Sequence, residues 1–165
     1  MTAHKNVRVA VADLSDPIDA RGMVEVLDSY AADPVGGGQP LAREVRDRLP
    51  SMLRDQANAL VLLAFVDDRP VGVAVCFFAF STFKALPLLN IHDLAVLPQH
   101  RGRGIGRALL EAAERHARAK GCCKLTLEVQ DDNTRARNLY RRFGFNDFVV
   151  GNSAPTRFLA KTLET

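Results

Sequence analysis

Apolar positions fall into two alternating rhythms along this chain. Residues 6–12 alternate around Val7, Val9 and Val11, which predicts a strand. Ser15 or Asp16 is placed to cap a helix that carries Pro17 in its first turn and runs to about Tyr30. The stretch Asp33-Pro-Val-Gly-Gly-Gly-Gln-Pro40 breaks the pattern. A second helix is predicted over 41–58, with Val45, Leu49, Met52 and Leu53 on one side and a break or kink at Pro50. Residues 59–66 and 71–83 are apolar, β-branched and aromatic, and Asp67-Asp68-Arg69-Pro70 joins them, which is a hairpin signature. Another strand covers 88–97 and is stopped by Pro98. Over residues 102–120, Ile105, Ala108, Leu109, Ala112, Ala113 and His116 share one helix face, while Glu111→Arg115 and Glu114→Arg118 pair on the wet side. A strand over 124–130, a short helix capped by Asn133 and closed by Gly144, and two short strands near 147–150 and 156–162 complete the pattern. The order β-α-α-β-β-β-α-β-α-β-β predicts an α/β fold around one central mixed sheet. No repeat or linker divides the 165 residues, so a single domain over 1–165 is expected.

Composition narrows the functional classes. Twenty-two Lys and Arg face 19 Asp and Glu, and the net charge of +3 is too slight for a surface that coats nucleic acid. It fits local basic clusters that meet an anionic ligand. No apolar run approaches the ~20 residues of a membrane helix, and the N-terminus lacks the apolar core of a signal peptide. Three cysteines, two of them adjacent, build no disulfide framework, and no Cys-x-x-Cys or His-Glu-x-x-His spacing marks a metal site. The expectation is a soluble, reduced, cytoplasmic domain with no metal, no membrane and no nucleic-acid partner.

The chemistry concentrates in Leu94-Ala-Val-Leu-Pro-Gln-His-Arg-Gly-Arg-Gly-Ile-Gly-Arg107, a strand, a glycine-rich turn and a helix start. The first amides of a helix have no intrahelical acceptor, the macrodipole favours negative charge, and glycines let an oxygen approach the backbone. Arg101, Arg103 and Arg107 add positive charge, so a phosphate or diphosphate is the natural ligand. The spacing Gly102-x-Gly104-x-Gly106 is not a dinucleotide fingerprint, since Arg107 stands where its third glycine belongs, and no Gly-Lys-Ser/Thr ends a P-loop. The bland alternative is a tight turn with solvated arginines.

Gln99-His-Arg-Gly102-Arg-Gly104 matches the Gln/Arg-x-x-Gly-x-Gly/Ala signature of the GNAT family of N-acetyltransferases, and the strand end Leu-Ala-Val-x-Pro before it is similar too. Downstream, Leu127-Glu-Val-Gln-Asp-Asp-Asn133 followed by Ala136-x-x-Leu139-Tyr140-x-x-Phe143-Gly-Phe145 resembles the second block of that family. The resemblance implies a GNAT-like mixed sheet flanked by helices on both faces, with strands splayed at an acetyl-CoA site. It places the pantetheine arm of coenzyme A along the backbone of Leu94, Ala95 and Val96. The diphosphate would lie at the turn from Gln99 and Arg101 through Gly102, Arg103, Gly104, Ile105, Gly106 and Arg107, and Asn133 and Arg137 would meet the cofactor elsewhere. Leu89 and Ile91 mark one face of their strand and Leu94 and Val96 the opposite phase, as one inserted residue would produce. Two-sided burial explains the same pattern. Tyr140 stands at the family's general-acid position; as a residue on an apolar helix face it also reads as a core tyrosine.

The acceptor side is less specific. The stretch from Phe80 to Leu94 is similar to the diamine (spermidine/spermine) acetyltransferase branch, but His92 replaces the first of two acidic residues and only Asp93 matches. Asp93 and His92 are the candidates for ammonium binding and proton removal, with hydrogen bonding to neighbouring backbone as the plain alternative. Asp28, Tyr30 and the glycine-rich loop after them occupy a region that lines the acceptor pocket in the family; the loop either closes over substrate or is a mobile connection. His100 is expected in an exposed turn. The implied activity is transfer of an acetyl group from acetyl-CoA to a primary amine, on a small molecule such as a polyamine or amino-acid-like amine, or on a peptide. Catalytically silent acyl-CoA sensing is the alternative, and the family resemblance leaves a homodimer open.

Overall fold

The computed structural model describes residues 7–163 and places five strands in one sheet in sequence order. They are β1 (Arg8–Val11), β2 (Ala59–Val66), β3 (Arg69–Ser81), β4 (Leu86–Val96) and β5 (Leu125–Leu127). The first three pairings are antiparallel and β4–β5 is parallel, which makes the sheet mixed. With α1 (Pro17–Ala32), α2 (Arg43–Arg54) and α3 (Ile105–Ala119), this sheet belongs to one compact unit that ends at Leu127. A second unit begins at Glu128 and carries α4 (Thr134–Phe143).

Local chemistry sets the boundaries. Asp16 caps α1, its Oδ1 accepting from the amides of Ile18 at 2.7 Å and Asp19 at 3.3 Å. Asp67 and Asp68 form the β2–β3 turn with φ of 51° and 59°, the left-handed conformation that a two-residue hairpin requires and that Asp tolerates. The helix predicted over 41–58 is shorter, and it runs through Pro50 without a break. Proline takes away the donor that would reach the Arg46 carbonyl, and Arg46 lies on an exposed stretch where water replaces it. Glu111 pairs with Arg107 at 2.9 Å, not with Arg115 as the periodicity predicts; Glu114 does pair with Arg118.

The central strands are buried on both faces. Residues 60–66 of β2 and 71–76 of β3 are all buried, so both sides of the sheet must be covered. Gly72 identifies the cover on one side. A Cβ there would stand 3.0 Å from Ile105 Cγ2 and 3.2 Å from Leu109 Cδ1, so the missing side chain is the space that α3 occupies. Gly72, Ala74 and Cys76 thus face α3, and Val73, Val75 and Phe77 face the other way. On that second side α1 buries Met23, Val26 and Leu27.

The two final strands of the sequence pattern are not present as strands. Val149 and Pro155 make a single antiparallel bridge, supported by the Thr156 amide on the Phe148 carbonyl at 2.9 Å. Proline at the bridge has no N–H to give, and the ladder goes no further. Within this second unit Gly144 ends α4, its amide reaching the Tyr140 and Arg141 carbonyls, and Phe145 stacks against Phe143.

Leu109 is fully buried and holds α3 to the sheet. Leu109→Ala should therefore cost about 2–5 kcal/mol, read as a lower urea midpoint with an unchanged denaturant slope.

Candidate active site

The register between β3 and β4 contains one irregularity. Val75 pairs with Asp93 and Cys76 pairs with Ile91, so His92 is an extra residue in β4. Ile91, opposite Cys76, and Leu94, opposite Ala74, therefore lie on the same face, although three positions separate them. This is the phase change that Leu89, Ile91, Leu94 and Val96 carry in the sequence. On the other face the bulge presents two consecutive side chains. Asp93 stands beside Val75, and the exposed His92 ring meets Phe77 edge-on at 5.7 Å between centroids. The β4–β5 ladder runs only from Leu89 to Ile91, so beyond the bulge the β5-side edge of Leu94, Ala95 and Val96 belongs to no ladder among the described residues.

At the end of β4 the chain turns into α3. Gly102 has φ of 75° and Gly104, the N-cap of α3, has φ of 78°. A Cβ at either would meet nothing within 4 Å, so conformation and not crowding demands glycine, and the space over them is open. No side chain caps α3. The amides of Ile105, Gly106 and Arg107 accordingly have no intrahelical acceptor. An uncapped helix start beneath open glycines fits a diphosphate, and an unladdered strand edge beside it fits the amides of a pantetheine arm, so the residues present suit coenzyme A. Arg103 is exposed and makes no ion pair among the described residues. Arg107 is engaged with Glu111. His100 is not the exposed turn residue that the sequence predicts: it is half-buried, and its Nδ1 is buried with no hydrogen-bond partner among the described residues.

Arg101 points elsewhere. Its Nε donates to the Val96 carbonyl at 2.9 Å and its Nη1 to Asp33 Oδ2 at 3.0 Å. Asp33 is the residue that the sequence reading passed over as part of a breaker. Its Oδ1 accepts from the Val35 amide and its carbonyl from the amides of Gly36 and Gly38. The signal was present as Asp-Pro at a helix end. Asp28 is engaged as well, accepting from the Leu41 amide at 2.7 Å and pairing with Arg46 at 3.5 Å. The connection between α1 and α2 is thus stapled at both ends.

Tyr30 completes this side. Burial pushes its phenol above the ordinary value of 10.0, and the carboxylates of Asp93 and Asp33 push the same way. Burial, with Asp93 second, raises the Cys76 thiol from 9.0 to about 12. Tyr30 is therefore within electrostatic reach of Asp93 at the bulge and of Asp33, while Asp28 fastens the connection after α1. In the second unit, Asn133 caps α4 by accepting from the Ala136 amide at 3.2 Å, and Arg137 donates to the Asp131 carbonyl at 2.8 Å. The half-buried Tyr140 ring meets Phe145 edge-on at 5.8 Å, so it is not a fully enclosed core tyrosine. Among the described residues no cluster of three or more potential ligands could hold a metal ion, and no helix is long and apolar enough to cross a membrane.

The family model of the acetyltransferase (GNAT) family matches residues 23–145, across both units, and the chain belongs to that family. Among curated relatives, thialysine N-epsilon-acetyltransferase of Bos taurus is 38% identical over 79 residues, 48% of this chain and 46% of that protein. Streptothricin acetyltransferase of Streptomyces lavendulae is 49% identical over 57 residues, 34% of this chain and 30% of that protein. The matched segment thus spans less than half the length of either relative. The fold is similar to that of a ribosomal-protein-alanine N-acetyltransferase from Brucella melitensis biovar Abortus 2308, with a TM-score of 0.70 at 24% identity over 93% of this chain and 100% of that one.

The two raised pKa values carry the same sign. Tyr30 and Cys76 stay protonated in the folded chain at a pH where the unfolded chain ionises. The Cys76 contribution is complete below pH 9 and is lost as pH rises toward 12, and that of Tyr30 declines in the same direction above its ordinary value. Cys76→Ala should flatten that alkaline decline, measured as urea midpoints across the same pH range.

Proposed function

We propose that this chain is an N-acetyltransferase that moves an acetyl group from acetyl-CoA to a primary amine by direct attack. The observation that carries the reading is the bulge at His92 next to an uncapped, glycine-lined start of α3. Bound acetyl-CoA supplies an activated acyl thioester. The residues supply the rest. Amides of Ile105, Gly106 and Arg107 hold the diphosphate with fixed partial charges. The unladdered edge of Leu94, Ala95 and Val96, apart from the Val96 carbonyl that Arg101 holds, receives the pantetheine amides, and an N–H from that edge stands ready for negative charge on the carbonyl oxygen. Asn133 and Arg137 are further candidates for cofactor binding.

An acceptor amine with a pKa of about 10.4 arrives as an ammonium ion. Asp93 attracts it, and Asp93 or His92 removes its proton, directly or through a water. Tyr140 holds a phenolic proton at Oη for the departing sulfur. The carboxylate of Asp93 near Tyr30 supports a cationic acceptor, such as a polyamine or a lysine-like amine. The similarity to thialysine N-epsilon-acetyltransferase points the same way. Retention of Tyr140 and Asp93 supports an enzyme over a silent acyl-CoA sensor. A single functional domain spanning both units, a cytoplasmic location and a homodimer belong to the same reading.

Release of free thiol from acetyl-CoA over a panel of amines tests the activity, and turnover is expected with diamines or lysine-like amines; no turnover with any amine class despite tight coenzyme A binding would overturn it. Tyr140→Phe should lower kcat by about a hundredfold or more with little change in coenzyme A affinity, and an unchanged kcat would remove Tyr140 from the chemistry. Asp93→Asn should raise KM for cationic amines far more than for neutral ones, which competition between the two kinds of acceptor would show.

A further inference from the structure

Arg101 lies within the glycine-rich turn, yet its guanidinium is turned away from the open space over Gly102 and Gly104 and into the protein. One nitrogen holds the last carbonyl of β4, and another holds a carboxylate 68 residues earlier in sequence, on the connection between α1 and α2. Both side chains of the ion pair are largely enclosed, at 24% and 21% exposed, so solvent screens it less than the surface pairs on α2 and α3. Asp33 is the organiser of its own connection. Three amides converge on its side-chain and main-chain oxygens, and the same carboxylate stands beside Tyr30.

We infer that Arg101 is a positioning residue, and that its contacts with Val96 and Asp33 couple the diphosphate-binding turn to the α1–α2 connection on the acceptor side. The planar guanidinium spans two fixed acceptors at once, which a point charge on a flexible stem cannot do. Ordering of the turn by coenzyme A would then order the connection, and loss of either contact would charge the cost of ordering to the ligand. This inference rests on the acetyl-CoA reading.

Calorimetric titration with coenzyme A, together with acceptor kinetics, tests it. By charge alone, Asp33→Asn removes a carboxylate near an anion site and should tighten coenzyme A binding. Coupling demands the opposite sign: weaker binding, by about fivefold or more, with a raised acceptor KM and a nearly unchanged kcat. Arg101→Lys keeps the charge but not the fork, and should show a similar loss. The double variant should be little worse than either single one, because both break the same link. Unchanged or tighter binding in Asp33→Asn, or losses that simply add, would overturn the inference. Should Asp33→Asn fail to fold, Arg101→Lys alone decides, and unaltered coenzyme A affinity in that variant has the same force. If the unaltered chain takes up no coenzyme A at all, the acetyl-CoA reading itself falls.

Discussion

One inserted residue in one strand governs the candidate site. Side chains alternate along a strand, so an extra residue reverses the faces of everything beyond it. In β4 that residue is His92, and the reversal keeps Ile91 and Leu94 together on the α3 face while His92 and Asp93 emerge together on the face of Val75 and Phe77. Were His92 paired as an ordinary strand residue and not bulged, Asp93 would point into the apolar layer beneath α3, where an unpaired carboxylate costs several kcal/mol or changes its protonation. Leu94 and Val96 would turn outward at the same time. The ladder to β5 stops at Ile91, one residue before the bulge, so the same stretch of strand gains both a polar pair and an open edge.

The second half of the site follows from packing at Gly72. Opposite Val96 in the ladder, Gly72 admits Ile105 and Leu109 to the surface of the sheet and stands close to the Ala95 carbonyl. Ile105 is the first residue of α3 and is almost fully buried. Its backbone amide belongs to the open helix start while its side chain is locked in the core. The uncapped amides and the strand edge are thus placed by the same contacts.

Much of this was legible in the sequence. The phase change across residues 89–96 announced the bulge, the glycines and the amphipathic face located α3, and Asn133 capped α4 as its position predicts. These are local signals, in which a residue and its consequence lie within a few positions. Arg101 was not legible in the same way. Its place in a basic glycine-rich turn reads as phosphate binding, but the partner that turns it inward is an aspartate that only the fold brings near. His100 differs from expectation for the same reason, since its burial and the lack of a partner for its Nδ1 among the described residues are tertiary facts. The last two strands misled in another way. Alternation shows that a segment suits a sheet, but a strand also needs a partner with donors, and Pro155 offers none at the one bridge that forms.

Charge placement along β4 ties these features to the proposed chemistry. The strand runs from the bulge with its carboxylate at Asp93 to a turn that, in the proposed function, holds a strongly anionic group. Such neighbours repel unless the negative charge between them is compensated. Arg101 supplies that compensation by taking Asp33. Arg107 is likewise held by Glu111, so of the three arginines in the turn only Arg103 is left without an ion pair among the described residues. In the proposed function, anion recognition falls mainly to backbone amides, whose partial charges are fixed in direction and cost no side-chain entropy. On that proposal the strand has a cation-attracting end at Asp93 and an anion-attracting end at Gly104, the polarity that an ammonium acceptor and a diphosphate-bearing donor require.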